Sequence, residues 1–161
     1  MALFVCALPL AGCNLSPMYA GGGNGAVARA LAGIEVSPIE GQAGWLVRNA
    51  LQDRLKESGS NTADIRYQLS VKLDDRLEGL GLLNDETIGR ERRTLRARYT
   101  LTDTTSDEIV LDATAGADAG VDVVSSEYAT IAAEQTALEN LARTVADRIV
   151  TRLAVRLRET P

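Results

Sequence analysis

The chain has 161 residues, a formal net charge of −5 and a sequence pI near 4.8. It contains no histidine and two cysteines. That composition removes the ligands of ordinary zinc, copper and non-haem iron sites and excludes histidine-dependent nucleophilic catalysis. An acidic balance also argues against general nucleic-acid binding, which needs a surplus of Lys and Arg against phosphate.

The first element is a mostly apolar run from Ala2 into Leu10-Ala11-Gly12-Cys13. It has the length of a signal-peptide apolar region and is far too short to span a bilayer. No Lys or Arg precedes it, which departs from the usual pattern. Leu-Ala-Gly-Cys resembles a bacterial lipobox, in which Cys13 is acylated and becomes the mature N-terminus. The glycine-rich residues after Cys13 cannot build a core around it. Cys6 falls within the predicted signal, so the mature chain would have no disulfide and no free thiol. The expected organisation is a signal peptide over 1–12, an acylated flexible tether over 13–30 and one α+β domain over 31–158. Asn14, next to the cysteine, resembles an outer-membrane sorting residue.

Beyond the tether, Ile34, Val36 and Pro38-Ile39 suggest a short strand that proline confines to an edge or an end. In "WLVRNALQDRLKES", Leu46, Val47, Ala50, Leu51 and Leu55 recur at helical spacing. This predicts a helix from Trp45 to Glu57, with Gly59 as its C-terminal cap. Ile65, Tyr67, Leu69, Val71 and Leu73 alternate with polar residues, the mark of a half-buried strand. "LRARYTLTD" repeats that alternation, with Leu95, Ala97, Tyr99 and Leu101 inward. "IVLDATAGA" is read as a third such strand with Ile109, Leu111, Ala113 and Ala115 inward. Thr104 to Asp107 suits the hairpin turn between these two.

From Glu127 the period becomes helical. Ile131, Leu138, Leu141, Val145, Ile149, Leu153 and Leu157 form one stripe, with acidic residues early and arginines late, as the helix dipole favours. The expected fold is α+β: a two-layer sandwich with two helices on one face of a roughly four-stranded, mostly antiparallel sheet.

No carboxylate pair stands out from the ordinary background of Asp and Glu, so the chain reads as a non-enzymatic binding or assembly protein without a cofactor or metal site. Two cationic clusters remain. "GRERRTLRARY" holds Arg90, Arg92, Arg93, Arg96 and Arg98. In an uninterrupted strand Arg90, Arg92, Arg96 and Arg98 share the polar face, while Glu91 and Arg93 fall in line with the apolar set. Arg90 to Arg93 would then project from a strand end or loop tip. They are either a solvated face neutralised by nearby Asp74, Asp75, Asp85 and Glu86, or a site for anionic phosphates, which suit arginine's planar fork. Arg148, Arg152 and Arg156 stack at i, i+4 and i+8, either exposed and screened by salt or facing an acidic partner wall.

The lipobox followed by Ser16-Pro17-Met18-Tyr19, "WLVRNALQDRL", "YQLSVKL" and "YATIAAEQTALENLARTVADRIVTRLAVRL" together resemble the LPS-assembly lipoprotein family LptE over nearly the whole mature chain. The resemblance implies a non-enzymatic protein anchored by acyl chains in the inner leaflet of the outer membrane. It also implies a plug inside an LptD-like β-barrel, assisting its assembly, binding lipopolysaccharide and helping deliver it to the cell surface. Arg90, Arg92 and Arg93 are the candidate lipopolysaccharide-binding residues on that view, and Cys13 the lipidation site. An accessory lipoprotein subunit of a periplasmic lipid-transport ABC system is the alternative.

Overall fold

The computed structural model describes residues 25–57, 64–80 and 89–159. The predicted lipobox with Cys13 and the Gly59 cap lie outside these residues. The elements run α1 (Ala26–Ala32), β1 (Ile34–Val36), α2 (Gly41–Glu57), β2 (Tyr67–Gly79), β3 (Arg90–Asp103), β4 (Ile109–Asp122) and α3 (Glu127–Glu159). The strands form one mixed sheet in the order β1-β2-β3-β4, with β1 parallel to β2 and the other pairs antiparallel. The expected α+β layering is present, with three helices where the sequence reading had two.

The extra helix is α1. It takes in residues 26–30 of the expected tether, with Ala28 and Leu31 buried against the rest of the core. Helix α2 starts at Gly41, ahead of the expected Trp45, because that glycine takes the left-handed φ of 78° that leads the chain in after Pro38-Ile39-Glu40. Inside α2, Gly44 lets the helix approach Ile39 closely, since a Cβ there would stand 2.6 Å from the Ile39 carbonyl oxygen. Val47, Leu51 and Leu55 form the buried face.

Helices α2 and α3 lie side by side in parallel. Gln42 bonds Gln135 at one end, and Arg54 Nε donates to Asp147 Oδ1 at 2.6 Å at the other. Leu138, Leu141, Val145, Ile149, Leu153 and Leu157 of α3 are buried as the stripe requires. Ile131 is not: it is 54% exposed, because the first turns of α3 run beyond the core. Against the helices lie Tyr67, Leu69 and Val71 of β2 and Leu95, Ala97, Tyr99 and Leu101 of β3, all buried. Strand β4 contributes Ala113, Ala115, Ala117 and Ala119, whose small side chains let α3 approach the sheet.

Two further expected core positions, Ile65 and Ile109, are exposed instead. Ile65 precedes β2, outside the sheet. Ile109 pairs with Thr102, while Leu101 pairs with Leu111, so a register shift turns Ile109 onto the solvent side and leaves Val110 packed against the core. The β3–β4 turn is held by Asp103, whose carboxylate accepts from the Thr105 backbone N–H at 2.8 Å and from Arg66 Nε at 3.2 Å. Those contacts, the Thr105 bond foremost, hold the Asp103 carboxyl below the usual carboxylate range. Asp107 completes the turn in the left-handed region.

Candidate functional site

Because both helical faces lie on one side, the opposite face of the sheet is open. Strands β2 and β3 are long and their partners in register share a face. The open face therefore reads, row by row, Lys72 beside Arg98 and Thr114, Asp74 beside Arg96 and Gly116, Arg76 beside Thr94 and Asp118, and Glu78 beside Arg92 and Gly120. Arg90 beside Asp122 ends the series.

Some of these charges neutralise each other. Arg90 pairs with Asp122 at 3.2 Å, Arg98 with Asp112 at 3.0 Å and Arg76 with Asp74 at 3.0 Å. The Arg98 bond draws the Asp112 carboxyl below its ordinary range, and Asp112 in turn holds the Arg98 guanidinium protonated. Among the described residues, Lys72, Arg92 and Arg96 have no carboxylate partner. Arg92 stands opposite Glu78 in register without bonding to it.

Glycine shapes this surface. A Cβ on Gly116 would lie 3.2 Å from Arg96 Cγ, so glycine is what lets the arginine lie flat across β4. The result is a shallow depression of about 420 Å³ bordered by Lys72, Asp74, Arg96, Arg98, Thr114 and Gly116. It offers hydrogen-bond donors and net positive charge to an anion, and it has neither the enclosure nor the paired acid and base of a catalytic cleft.

The three arginines nominated from sequence do not act as one group. Arg90 and Arg92 stand on the open face. Arg93 is on the helix-covered side, with its side chain only 16% exposed. It grips Asp75 with two bonds, of 2.9 and 2.7 Å, and donates Nη1 to the Glu134 backbone oxygen of α3 at 3.1 Å. Of the two expected placements, a strand end or a loop tip, Arg90 to Arg93 take the first: they are the opening residues of β3. Lys72 and Arg96 escaped nomination, Lys72 because only the β2–β3 register sets it beside Arg98.

Arg148, Arg152 and Arg156 have a different setting. Arg148 donates to the Gly116 carbonyl oxygen, and Arg156 Nε donates to that of Val110 at 2.9 Å. Both carbonyls belong to β4, the last strand of the sheet, whose outer backbone groups would otherwise be open to another chain. Among the described residues no helix is long and apolar enough to cross a membrane, and no group of side chains is arranged to hold a metal ion.

A family model described as "LptE: Lipopolysaccharide-assembly" matches residues 31–153, most of the chain. The chain belongs to the LptE family. That family is a non-enzymatic lipoprotein family of lipopolysaccharide assembly, and this LptE-family chain takes that general role. Solved structures agree in fold. A protein from Caulobacter crescentus CB15, described as a lipoprotein, is 26% identical, with a TM-score of 0.70 over 84% of this chain and 97% of its own. A minor lipoprotein from Acinetobacter baumannii is 15% identical, with a TM-score of 0.60 over 76% and 90%. Lipoprotein B from Nitrosomonas europaea is 12% identical, with a TM-score of 0.58 over 80% and 89%. No curated protein matches this chain.

Proposed function

We propose that this LptE-family protein is acylated at Cys13, sits on the periplasmic face of the outer membrane, and works as the plug and assembly partner of an LptD-like barrel. It binds lipopolysaccharide through the open face of its sheet. The observation that carries this reading is the trio Lys72, Arg92 and Arg96, without a carboxylate partner among the described residues, on the sheet face opposite the helices of a chain whose net charge is −5. Arg90 and Arg98 flank the trio on the same strand face, while Arg93 is assigned to the scaffold. Phosphate groups of a lipid are met by guanidinium donors arranged along a ladder rather than in a closed pocket.

The test is charge reversal of Lys72, Arg92 and Arg96 to Glu, compared with Lys56, Arg143 and Arg158 to Glu, exposed positions on the helices. Immobilised lipopolysaccharide should be held at least tenfold more weakly by the first variant and much as before by the second. Wild-type binding should weaken as salt rises. Equal losses from both variants would reduce the reading to overall charge. Pull-down from outer membranes should recover a large β-barrel, and depletion of the protein should lower the level of assembled barrel. Recovery of an inner-membrane transporter instead would favour an accessory subunit of an ABC system.

A further inference from the structure

A second cationic surface lies on the other side of β4, where α3 passes along the open edge of the sheet. A groove of about 560 Å³ there is lined by Tyr99, Thr114, Gly116, Arg148 and Arg152, together with Ala113 and Ala115. No carboxylate lines it, in a chain with more acids than bases. Arg148 and Arg152 are one helical turn apart, a spacing at which like charges repel. Among the described residues neither has an acidic partner, and Arg148 reaches only the Gly116 carbonyl. Tyr99 is buried, and burial holds its phenol protonated above the usual range, against the opposing pull of Arg152. The groove runs along the β4 edge, where Arg148 donates to the Gly116 carbonyl, and every side chain with a formal charge on its walls is a cation.

We infer that this α3–β4 groove is a phosphate-binding site, in which Arg148 and Arg152 clamp the oxyanion and the Tyr99 hydroxyl donates to it. Two guanidiniums and a protonated phenol supply donors on two sides of one pocket, and an anion between them relieves the repulsion of the arginine pair. The groove shares Thr114 and Gly116 of β4 with the open-face depression but none of its charged residues: its arginines come from α3, on the helix side of the β4 edge. It does not depend on the lipopolysaccharide reading. The phosphate has two possible sources, a free phosphate or an anionic phospholipid headgroup.

The test uses the full mature chain labelled with 15N. Titration with inorganic phosphate should shift the Arg148 and Arg152 Nε–H signals saturably. Arg152→Gln should weaken that response at least tenfold, while Arg143→Gln, also on α3 but outside the groove, should leave it unchanged. Arg152 is exposed, so its replacement spares the core. Tyr99→Phe should weaken the response without moving the arginine signals of the free protein. For the second source, vesicles of phosphatidylglycerol and phosphatidylcholine should shift the same signals in the wild type and not in Arg152→Gln, with pure phosphatidylcholine as the blank. A response to vesicles beyond that to inorganic phosphate assigns the headgroup, and the reverse assigns free phosphate. Absence of a saturable shift with both probes, an unchanged response in Arg152→Gln, or tighter binding of acetate than of phosphate would overturn the proposal.

Discussion

Replacing Arg93 by Met tests whether the arginine run is one surface or two. Arg93 and Asp75 have side chains 16% and 25% exposed, so their two bonds are shielded from solvent on both sides. The third donor reaches the Glu134 carbonyl and ties β3 to the first part of α3. Methionine keeps most of the apolar stem and removes all three bonds. It leaves a partly buried Asp75 carboxylate without its counter-charge. Bonds to charged groups contribute about 1.5–3 kcal/mol, and loss of one partner of a fully buried ion pair costs about 3–5 kcal/mol. Since Asp75 keeps a quarter of its exposure, the expected loss is about 2–3 kcal/mol, near the top of the first range. For a chain of this length that lowers Tm by about 4–12 °C. Arg92→Met, on the open face, should cost no more than about 0.5 kcal/mol. Urea denaturation followed by circular dichroism measures both. Adding Asp75→Asn to Arg93→Met should recover part of the loss by removing the stranded charge. Equal costs at positions 92 and 93, or no recovery in the double variant, would refute the division of the strand into a ligand face and a structural face.

Cys13→Ala should abolish palmitate labelling and leave the precursor with its signal attached; unchanged labelling would end the lipoprotein assignment of that residue. Gly44→Ala should destabilise by about 1–3 kcal/mol, as overpacking does, because the new Cβ meets the Ile39 backbone at 2.6 Å; a neutral result in thermal melts would show that the α2 start moves freely. The folded-state value of Asp103 is depressed, so its contribution is fully present above the unfolded carboxylate value near pH 4 and is lost as pH falls through the lower folded value. Asp103→Asn should therefore flatten the acid limb of stability against pH, and an unchanged limb would remove the turn carboxylate from that account.

The parts of the fold legible in the sequence are those where apolar side chains carry the period. Tyr67 to Val71 and Leu95 to Leu101 alternate cleanly because each inward residue meets a helix. The far half of the same sheet was illegible as strand in β2 and ambiguous in β3. There the inward positions are Asp75, Leu77, Glu91 and Arg93, and an ion pair takes the place of an apolar contact. Ile109 was misplaced because a bulge leaves no trace in a run of alternating residues. Helix α1 was missed because its buried set is one alanine and one leucine beside a glycine-rich stretch, too little to outweigh the breakers. At the candidate site, the polar face of β3 was legible, since parity alone separates Arg92 from Arg93. What parity cannot supply is the neighbour: the strand register decides that Gly116 lies opposite Arg96 and that Lys72 lies beside Arg98.

The two ends of the sheet place the open face between the N-terminal segment and the far hairpin. Helix α1 sits at the end where the Gly33 carbonyl accepts from the Arg66 and Tyr67 backbone N–H groups and the β3–β4 turn closes on Arg66. The opposite end is marked by the Leu80 N–H bond to the Arg90 carbonyl. Thirteen residues of β2 separate them, roughly 43 Å at the rise of an antiparallel strand. On the proposed reading, an acyl anchor at Cys13 holds the α1 end by residues 13–25, a length of chain that can span at most about 47 Å. The arginines of β3 then step away from that end in the order Arg98, Arg96, Arg92, Arg90, each two-residue step about 6.8 Å. Thr94 interrupts them halfway, where Asp118 stands opposite, so the face is divided into two cationic stations. Paired charges stand at the outer positions, Arg98 with Asp112 and Arg90 with Asp122, and the inner ones, Arg96 and Arg92, have no carboxylate partner among the described residues. A phosphorylated lipid on this face would thus meet, in the middle of the strand, the two arginines that no described carboxylate neutralises.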